Sequence, residues 1–248
     1  MISGKTETIS GLVLGYSQYG DSSLIVSFAS DNGLVSLLAR GIYKPKSPLK
    51  PFLVVGSYLK CDCKVTEKNL YLPSSVLVIK DASLAMTDYV SSCFLMFLSE
   101  VSLAFYRYGD QYPYEDVSLI IQALIQKGDP LSLALLLMGT FYKSLGLKED
   151  TDGCFNCGTT KQIVSYSLED GGYICKDCNQ AFNKPTKSEL QLYVFKFAFM
   201  DLNEKTLSKI VPSKEGKFLL EDLLNNLISY FDLHPIKSLS LFLKALNG

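Results

Sequence analysis

Two Cys-x-x-Cys pairs in the second half of the chain constrain its local fold more strongly than any other sequence feature. They are Cys154, Cys157, Cys175 and Cys178, with seventeen residues between the pairs. Each Cys-x-x-Cys turn can place two thiolates on one side of a tight loop, so two such turns can complete a tetrahedral four-sulfur shell. Gly171-Gly172 precedes the second pair, and the segment between the pairs alternates like a short hairpin. The pattern predicts a zinc ribbon over residues 151–183 with one structural zinc ion.

The same spacing argues against two other roles for the four thiols, a redox pair and an iron–sulfur cluster. A redox pair needs one Cys-x-x-Cys beside a βαβ pattern, and an iron–sulfur cluster has different characteristic spacings. A closed four-thiolate shell has no open position for water, so the site is expected to be structural rather than catalytic. Residues 1–10 lack the apolar segment of a signal peptide,. We therefore expect a cytoplasmic chain, in a reducing compartment where paired thiols serve as metal ligands rather than disulfides.

The first eighty residues have the pattern of a small β-barrel. Between residues 6 and 80, five short segments rich in β-branched and aromatic residues are separated by turn signals,. Asp31-Asn32-Gly33 lies between the second and third segments and favours a type I′ hairpin turn. Five strands in so short a stretch predict a closed barrel, because closure removes exposed edges. Strand count alone is compatible with either an OB-type or an SH3-like barrel.

A basic loop is predicted between the third and fourth strands. Gly41–Pro51 contains three prolines and three lysines, which excludes a central strand,. The prolines are expected to keep this loop extended and exposed, with Arg40 just before it. The cations can be a solvated loop surface, but their place beside a barrel that suits single strands favours a nucleic-acid site.

After residue 82 the hydrophobic period becomes helical. Helices are predicted near 83–108, 114–127, 130–145, 187–201, 203–211, 216–231 and 236–246,. Asp129-Pro130 has the pattern of an N-cap followed by proline at the first helical position. The chain is therefore expected to have an α+β fold: a barrel domain at 1–80, a helical domain at 81–150 and 184–248, and the four-cysteine module inserted at 151–183.

Charge and motif content exclude several functions. The net charge is -1, although residues 1–80 contain nine Lys and Arg against five Asp and Glu, and an acidic middle offsets them,. Walker A, GxGxxG, HExxH and GxSxG motifs are missing, and His234, the single histidine, is expected to be structural,. The chain is therefore not expected to be an enzyme.

The apolar stretch 131–142 is too short to span a bilayer, so no membrane association is expected. Cys61, Cys63 and Cys93 are expected to be buried thiols.

Three segments, in their order along the chain, resemble the bacterial DNA repair protein RecO family. The run GLVLGYSQYGDSSLIVSFASDNGLVSLLARGIYKPKS is similar to the family's opening. The segment CFNCG…GGYICKDC resembles its zinc module, and the tail Ile236–Leu243 resembles its C-terminal helix. The central helices, over residues 82–150, resemble those of the family in general character only.

This resemblance implies an N-terminal OB-fold and a non-enzymatic mediator of recombinational repair. It implies binding and annealing of single- and double-stranded DNA, contact with the single-stranded DNA-binding protein, action with RecR to help load RecA, and association with the nucleoid. The DNA-binding residues it implies are Arg40, Lys44, Lys46 and Lys50. Two alternatives stay open: a protein–protein adaptor without direct DNA contact, and a zinc-ribbon RNA-processing factor.

Overall fold

The structure is a computed structural model in which the chain divides into two compact units. It describes residues 5–30, 33–66, 70–106, 108, 112–147 and 149–247. One unit comprises residues 1–107 with 238–248, and the other comprises residues 108–237. The domain boundaries expected from the sequence remain a prediction. Over the described ranges, no helix has both the length and the apolar character needed to cross a membrane.

Five strands build the first unit. They are β1 Thr6–Tyr19, β2 Ser23–Ser30, β3 Gly33–Arg40, β4 Tyr58–Val65 and β5 Tyr71–Lys80. The strands form a closed barrel in the order β1-β2-β3-β5-β4, with β4 antiparallel to both β1 and β5. A parallel pairing of Leu37 with Tyr71 joins β3 to β5 and completes the closure. The predicted OB-type barrel is confirmed.

Strand alternation fills the barrel with apolar side chains. Leu24, Val26 and Phe28 point inward from β2, and Phe52 meets Phe28 edge-on with ring centroids 6.2 Å apart,. Ser30 pairs with Gly33, which confirms the β2–β3 hairpin. The predicted turn residues Asp31 and Asn32 lie outside the described residues.

Two helices complete the barrel unit. Helix α1 spans Tyr89–Phe105, and the last helix of the chain, here α8, spans Lys237–Ala245. Phe242 of α8 is fully buried between Phe94 and Phe97 of α1, at centroid distances of 5.8 and 5.7 Å. The C-terminal helix therefore packs with α1 of the first unit, although the residues that precede it in sequence belong to the second unit.

The second unit is organised around one buried helix. Its helices are α2 Tyr114–Ile125, α3 Pro130–Ser144, α4 Asn179–Phe182, α5 Glu189–Ala198, α6 Glu204–Leu207 and α7 Ser213–Tyr230. The N-terminus of α3 is capped as predicted, because the Asp129 side chain accepts a hydrogen bond from the Ser132 amide,. The Tyr142 hydroxyl of α3 donates to the Leu223 carbonyl of α7 at 3.0 Å. Helix α3 thus has apolar and hydrogen-bonded neighbours along its length.

A small sheet carries the cysteines of the second unit. Its strands are β6 Asp150–Cys154, β7 Ile163–Ser167 and β8 Gly172–Cys175, in the order β6-β8-β7. The β7–β8 hairpin was predicted from the alternating segment. Strand β6, which pairs parallel to β8, was not predicted, because its five residues have no apolar alternation.

Candidate functional site

The four predicted cysteines meet at one end of the small sheet. Cys154 ends β6, Cys175 ends β8, and all four Sγ atoms lie within 4.8 Å of one another. The Sγ atoms of Cys157 and Cys175 are 3.7 Å apart. Metal–sulfur bonds of about 2.3 Å in a tetrahedron place neighbouring sulfurs about 3.8 Å apart. The dimensions of the cluster therefore fit one tetrahedrally bound metal ion.

Local turns bring each cysteine pair together. The Gly158 amide donates to the Cys154 carbonyl at 2.8 Å, and Gly158 has a positive φ of 72°. Gly153 permits this turn, because a Cβ at that position would lie 2.8 Å from the Gly158 carbonyl oxygen. In the second pair the Cys178 amide donates to the Cys175 Sγ at 3.5 Å. The glycines around the first pair therefore allow a backbone path that other residues would obstruct.

Hydrogen-bond donors around the sulfurs favour thiolates. Burial raises the pKa of Cys154, but backbone donors from Cys175, Cys157 and Asn156 outweigh burial and lower that pKa to about 6,. The Asn156 side-chain amide also donates to the Cys178 Sγ at 3.3 Å. At Cys178 this donor lowers the pKa, but contact with Cys175, burial and the other thiols outweigh it and raise the pKa to about 12. The surroundings of Cys154 are therefore those that favour the thiolate, which is the form that binds metal,. Asn156 was not predicted from the sequence, since no spacing rule marks such a donor.

Aromatic contacts attach the four-cysteine module to the helices of its unit. The ring of Tyr166 stacks on Phe195 with centroids 4.1 Å apart and planes 10° apart. The Tyr173 hydroxyl donates to the Leu192 carbonyl of α5, and the Lys187 ammonium lies 4.8 Å above the Tyr166 ring. The module is therefore part of the core of the second unit rather than a tethered appendage.

The basic loop after β3 is folded into successive turns. The Lys44 amide donates to the Gly41 carbonyl, and the Ser47 amide donates to the Lys44 carbonyl. Residues Lys50–Leu53 then form a short 3-10 helix. The expectation of an extended loop is wrong, because prolines at the first positions of turns favour turning as readily as extension.

The four predicted DNA-binding residues lie on this folded loop and the end of β3. Three of them, Arg40, Lys44 and Lys46, line an open groove of about 590 Å³ together with Ser74 of β5 and the intervening loop residues. Lys50 belongs to the same loop, and its ammonium donates to the Pro45 carbonyl at 2.9 Å. Within the described ranges, none of these four cations forms an ion pair with an acidic side chain. Their charges are therefore available to an anionic ligand.

The remaining cysteines and the histidine do not form a second centre. Cys61 and Cys63 are buried inside the barrel with Sγ atoms 3.7 Å apart, and Cys93 is buried on α1. The prediction of buried thiols is confirmed for these three. Across the part of the chain that the structure describes, the four-cysteine cluster is the one group with metal-binding dimensions.

These features define the class: a two-unit α+β protein with an OB-type barrel, a helical unit and a four-cysteine centre. The family model described as Recombination protein O N terminal matches residues 3–80, and the model described as Recombination protein O C terminal matches residues 86–240. The chain therefore belongs to the Recombination protein O family.

Relatives cover most of the chain at low identity. The DNA repair protein RecO of Halalkalibacterium halodurans is 23% identical over 227 residues, which are 90% of this chain and 87% of that protein. The DNA repair protein RecO of Oceanobacillus iheyensis is 23% identical over 238 residues, covering 91% and 87%. Among solved structures, asparaginyl-tRNA synthetase from Pyrococcus horikoshii is 10% identical with a TM-score of 0.30, covering 78% of this chain and 43% of that one. That likeness is too low to support any conclusion.

Proposed function

We propose that this protein is a DNA-binding mediator of recombinational repair. In this role it binds and anneals single- and double-stranded DNA in the cytoplasm at the nucleoid. It contacts the single-stranded DNA-binding protein and acts with RecR to help load the RecA recombinase. The observation that carries the DNA-binding part is one groove of an OB-type barrel lined by Arg40, Lys44 and Lys46, none of which has an acidic partner among the described residues. Family membership supports the repair role.

We propose further that the four-cysteine centre binds one structural zinc ion. The sulfur spacing of 3.7 Å fits zinc–thiolate geometry, and the backbone donors around Cys154 stabilise its thiolate,. Four thiolates complete the coordination shell, so the ion would hold β6 and β8 together rather than activate water. When bound, zinc would supply folding free energy to this module.

The proposed activity requires no catalytic step. The chain has one histidine and no Walker A motif,. Strand annealing by the pure protein should therefore proceed without ATP, and fluorescence-quenching annealing assays with and without ATP test this. A strict requirement for ATP hydrolysis by the pure chain would contradict the proposal.

The DNA-binding proposal is tested by removing the cations of the loop. The variant changes Arg40, Lys44, Lys46 and Lys50 to alanine. Each phosphate contact on a single strand contributes about 0.7 to the slope of log affinity against log salt, so four contacts contribute about 3. We expect the variant to bind single-stranded DNA more weakly at low salt and to lose about that much slope. Its fold should survive, because exposed charges contribute little to stability.

A charge-matched control separates position from net charge. The control changes four exposed lysines on other elements to alanine: Lys161, Lys205, Lys214 and Lys244. It should retain most of the affinity and the salt slope. Should the loop variant fold normally and bind DNA with unchanged affinity and slope, the loop is not the DNA site. The adaptor function, without direct DNA contact, would then be favoured.

A further inference from the structure

The barrel register places an exposed tyrosine in line with the first of the four cations. Tyr19 of β1 pairs with Ser23 of β2, and Ser23 pairs with Arg40 of β3. Cross-strand partners point to the same face of a sheet. Ala39, the neighbour of Arg40, is fully buried, so Arg40 and the row it belongs to lie on the outer face,. Tyr19 and Arg40 are thus separated across that face by one strand.

A second exposed tyrosine is fixed beside the same row. Ile42 is fully buried in the barrel core, and its amide donates to the Ser22 carbonyl at 3.1 Å. Tyr43 directly follows this anchor and is 51% exposed, while Tyr19 is 57% exposed. Tyr19 therefore lies at the start of the β1–β2 turn. The hydrogen bond from Ile42 to Ser22 holds the segment that carries Tyr43 against the same turn.

The faces of both rings are available to a ligand. In the described part of the chain, neither Tyr19 nor Tyr43 stacks on another aromatic ring or lies under a cation. An exposed aromatic ring beside a cationic groove is the arrangement by which single-strand-binding barrels accommodate bases. Asp21 lies in the turn next to Tyr19 and is exposed, so its negative charge disfavours a phosphate there. A neutral base is the part of a strand that fits this position.

We propose that Tyr19 and Tyr43 stack on unpaired bases of a strand whose phosphates are held by Arg40 and the loop lysines. The site therefore selects single strands over duplexes, because paired bases do not offer free faces. This inference rests on the proposed DNA-binding function, since it assumes that a nucleic-acid strand occupies the groove.

The test compares three ligands and two sets of variants at fixed salt. The ligands are oligothymidine, an abasic oligonucleotide of equal length, and a duplex. Alanine at a stacking position weakens base binding by about 1–3 kcal/mol, which corresponds to roughly 5- to 150-fold for each tyrosine. We expect the double variant Tyr19→Ala/Tyr43→Ala to lose oligothymidine affinity by that amount per ring, with an unchanged salt slope and unchanged binding of the abasic strand. Tyr19→Phe/Tyr43→Phe should bind like the unaltered protein.

A matched control removes an exposed tyrosine elsewhere in the same unit. Tyr89 on α1 is 65% exposed, and Tyr89→Ala should leave oligothymidine binding unchanged. If the unaltered protein binds oligothymidine and the abasic strand equally, or if the double alanine variant keeps full affinity, stacking is refuted while DNA binding stands. If the unaltered protein binds none of the three ligands, the proposed function fails and the inference fails with it.

Discussion

Glu149 is a buried acid whose removal should stabilise the second unit. It lies between α3 and β6 and is 9% exposed. Its Oε2 atom accepts no hydrogen bond from the described residues. Two lysines border the same cavity of about 530 Å³, but Lys143 pairs with Asp201 and Lys196 pairs with Asp152, each at 3.1 Å. Among the described residues the carboxyl group therefore has no cation of its own, and burial raises its pKa from 4.5 to about 8,.

The direction of the pH dependence follows from this raised pKa. Between about pH 4.5 and pH 8 the native state keeps Glu149 protonated while the unfolded state ionises it. The free energy of unfolding is therefore highest below the unfolded pKa and is lost as pH rises toward 8. One pKa unit corresponds to about 1.4 kcal/mol, so the stability lost between the unfolded pKa of 4.5 and pH 7 is about 3 kcal/mol,. Because Glu149 borders the cavity and is not fully enclosed, solvent reduces this cost, and we expect Glu149→Gln to stabilise the protein by about 1–3 kcal/mol at pH 7,.

Urea unfolding of the unaltered protein and Glu149→Gln at pH 5, 6, 7 and 8 measures this effect. The two proteins should differ by less than about 1 kcal/mol at pH 5, and the advantage of the glutamine variant should grow with pH. Glu221→Gln, at an exposed position of α7, should change stability by less than about 0.5 kcal/mol at every pH,. A glutamine variant that is less stable than the unaltered protein at pH 7 would show that Glu149 has a charged partner in solution.

Two further outcomes are expected. The purified protein should contain one zinc per chain by elemental analysis, and Cys157→Ser or Cys175→Ser should lose the metal and lower the unfolding temperature; freshly prepared protein without zinc would contradict this assignment. Gly139→Ala should lower the free energy of unfolding by about 1–3 kcal/mol or more, because its Cβ would lie 1.8 Å from the Ala198 carbonyl oxygen,. Gly15→Ala, whose Cβ would lie 3.1 Å from the Ser99 hydroxyl, should cost less in the same denaturation assay.

Features governed by local chemistry were predictable from the sequence. The change from strand to helical periodicity near residue 82 depends on neighbouring side chains, so the five strands and the longer helices were predicted. The Cys-x-x-Cys spacing also acts locally, because each pair needs only one tight turn. Long-range assembly of the two pairs then followed from the requirement of four ligands for one ion, and the structure brings the four sulfurs together.

Features governed by non-local contacts required the tertiary structure. The sequence does not indicate that Phe242 packs between Phe94 and Phe97, since more than a hundred residues separate them and any apolar helix face could receive that ring,. The burial of Glu149 and the donor role of Asn156 likewise depend on which segments fold over them. By itself the sequence determined the five barrel strands, the longer helices and the residues that can bind a metal, but not the short strand β6. The tertiary structure decided which cations line the same groove and which tyrosines are near them. Strand register determines which residues are neighbours across a sheet, and the periodicity within one strand does not show that register.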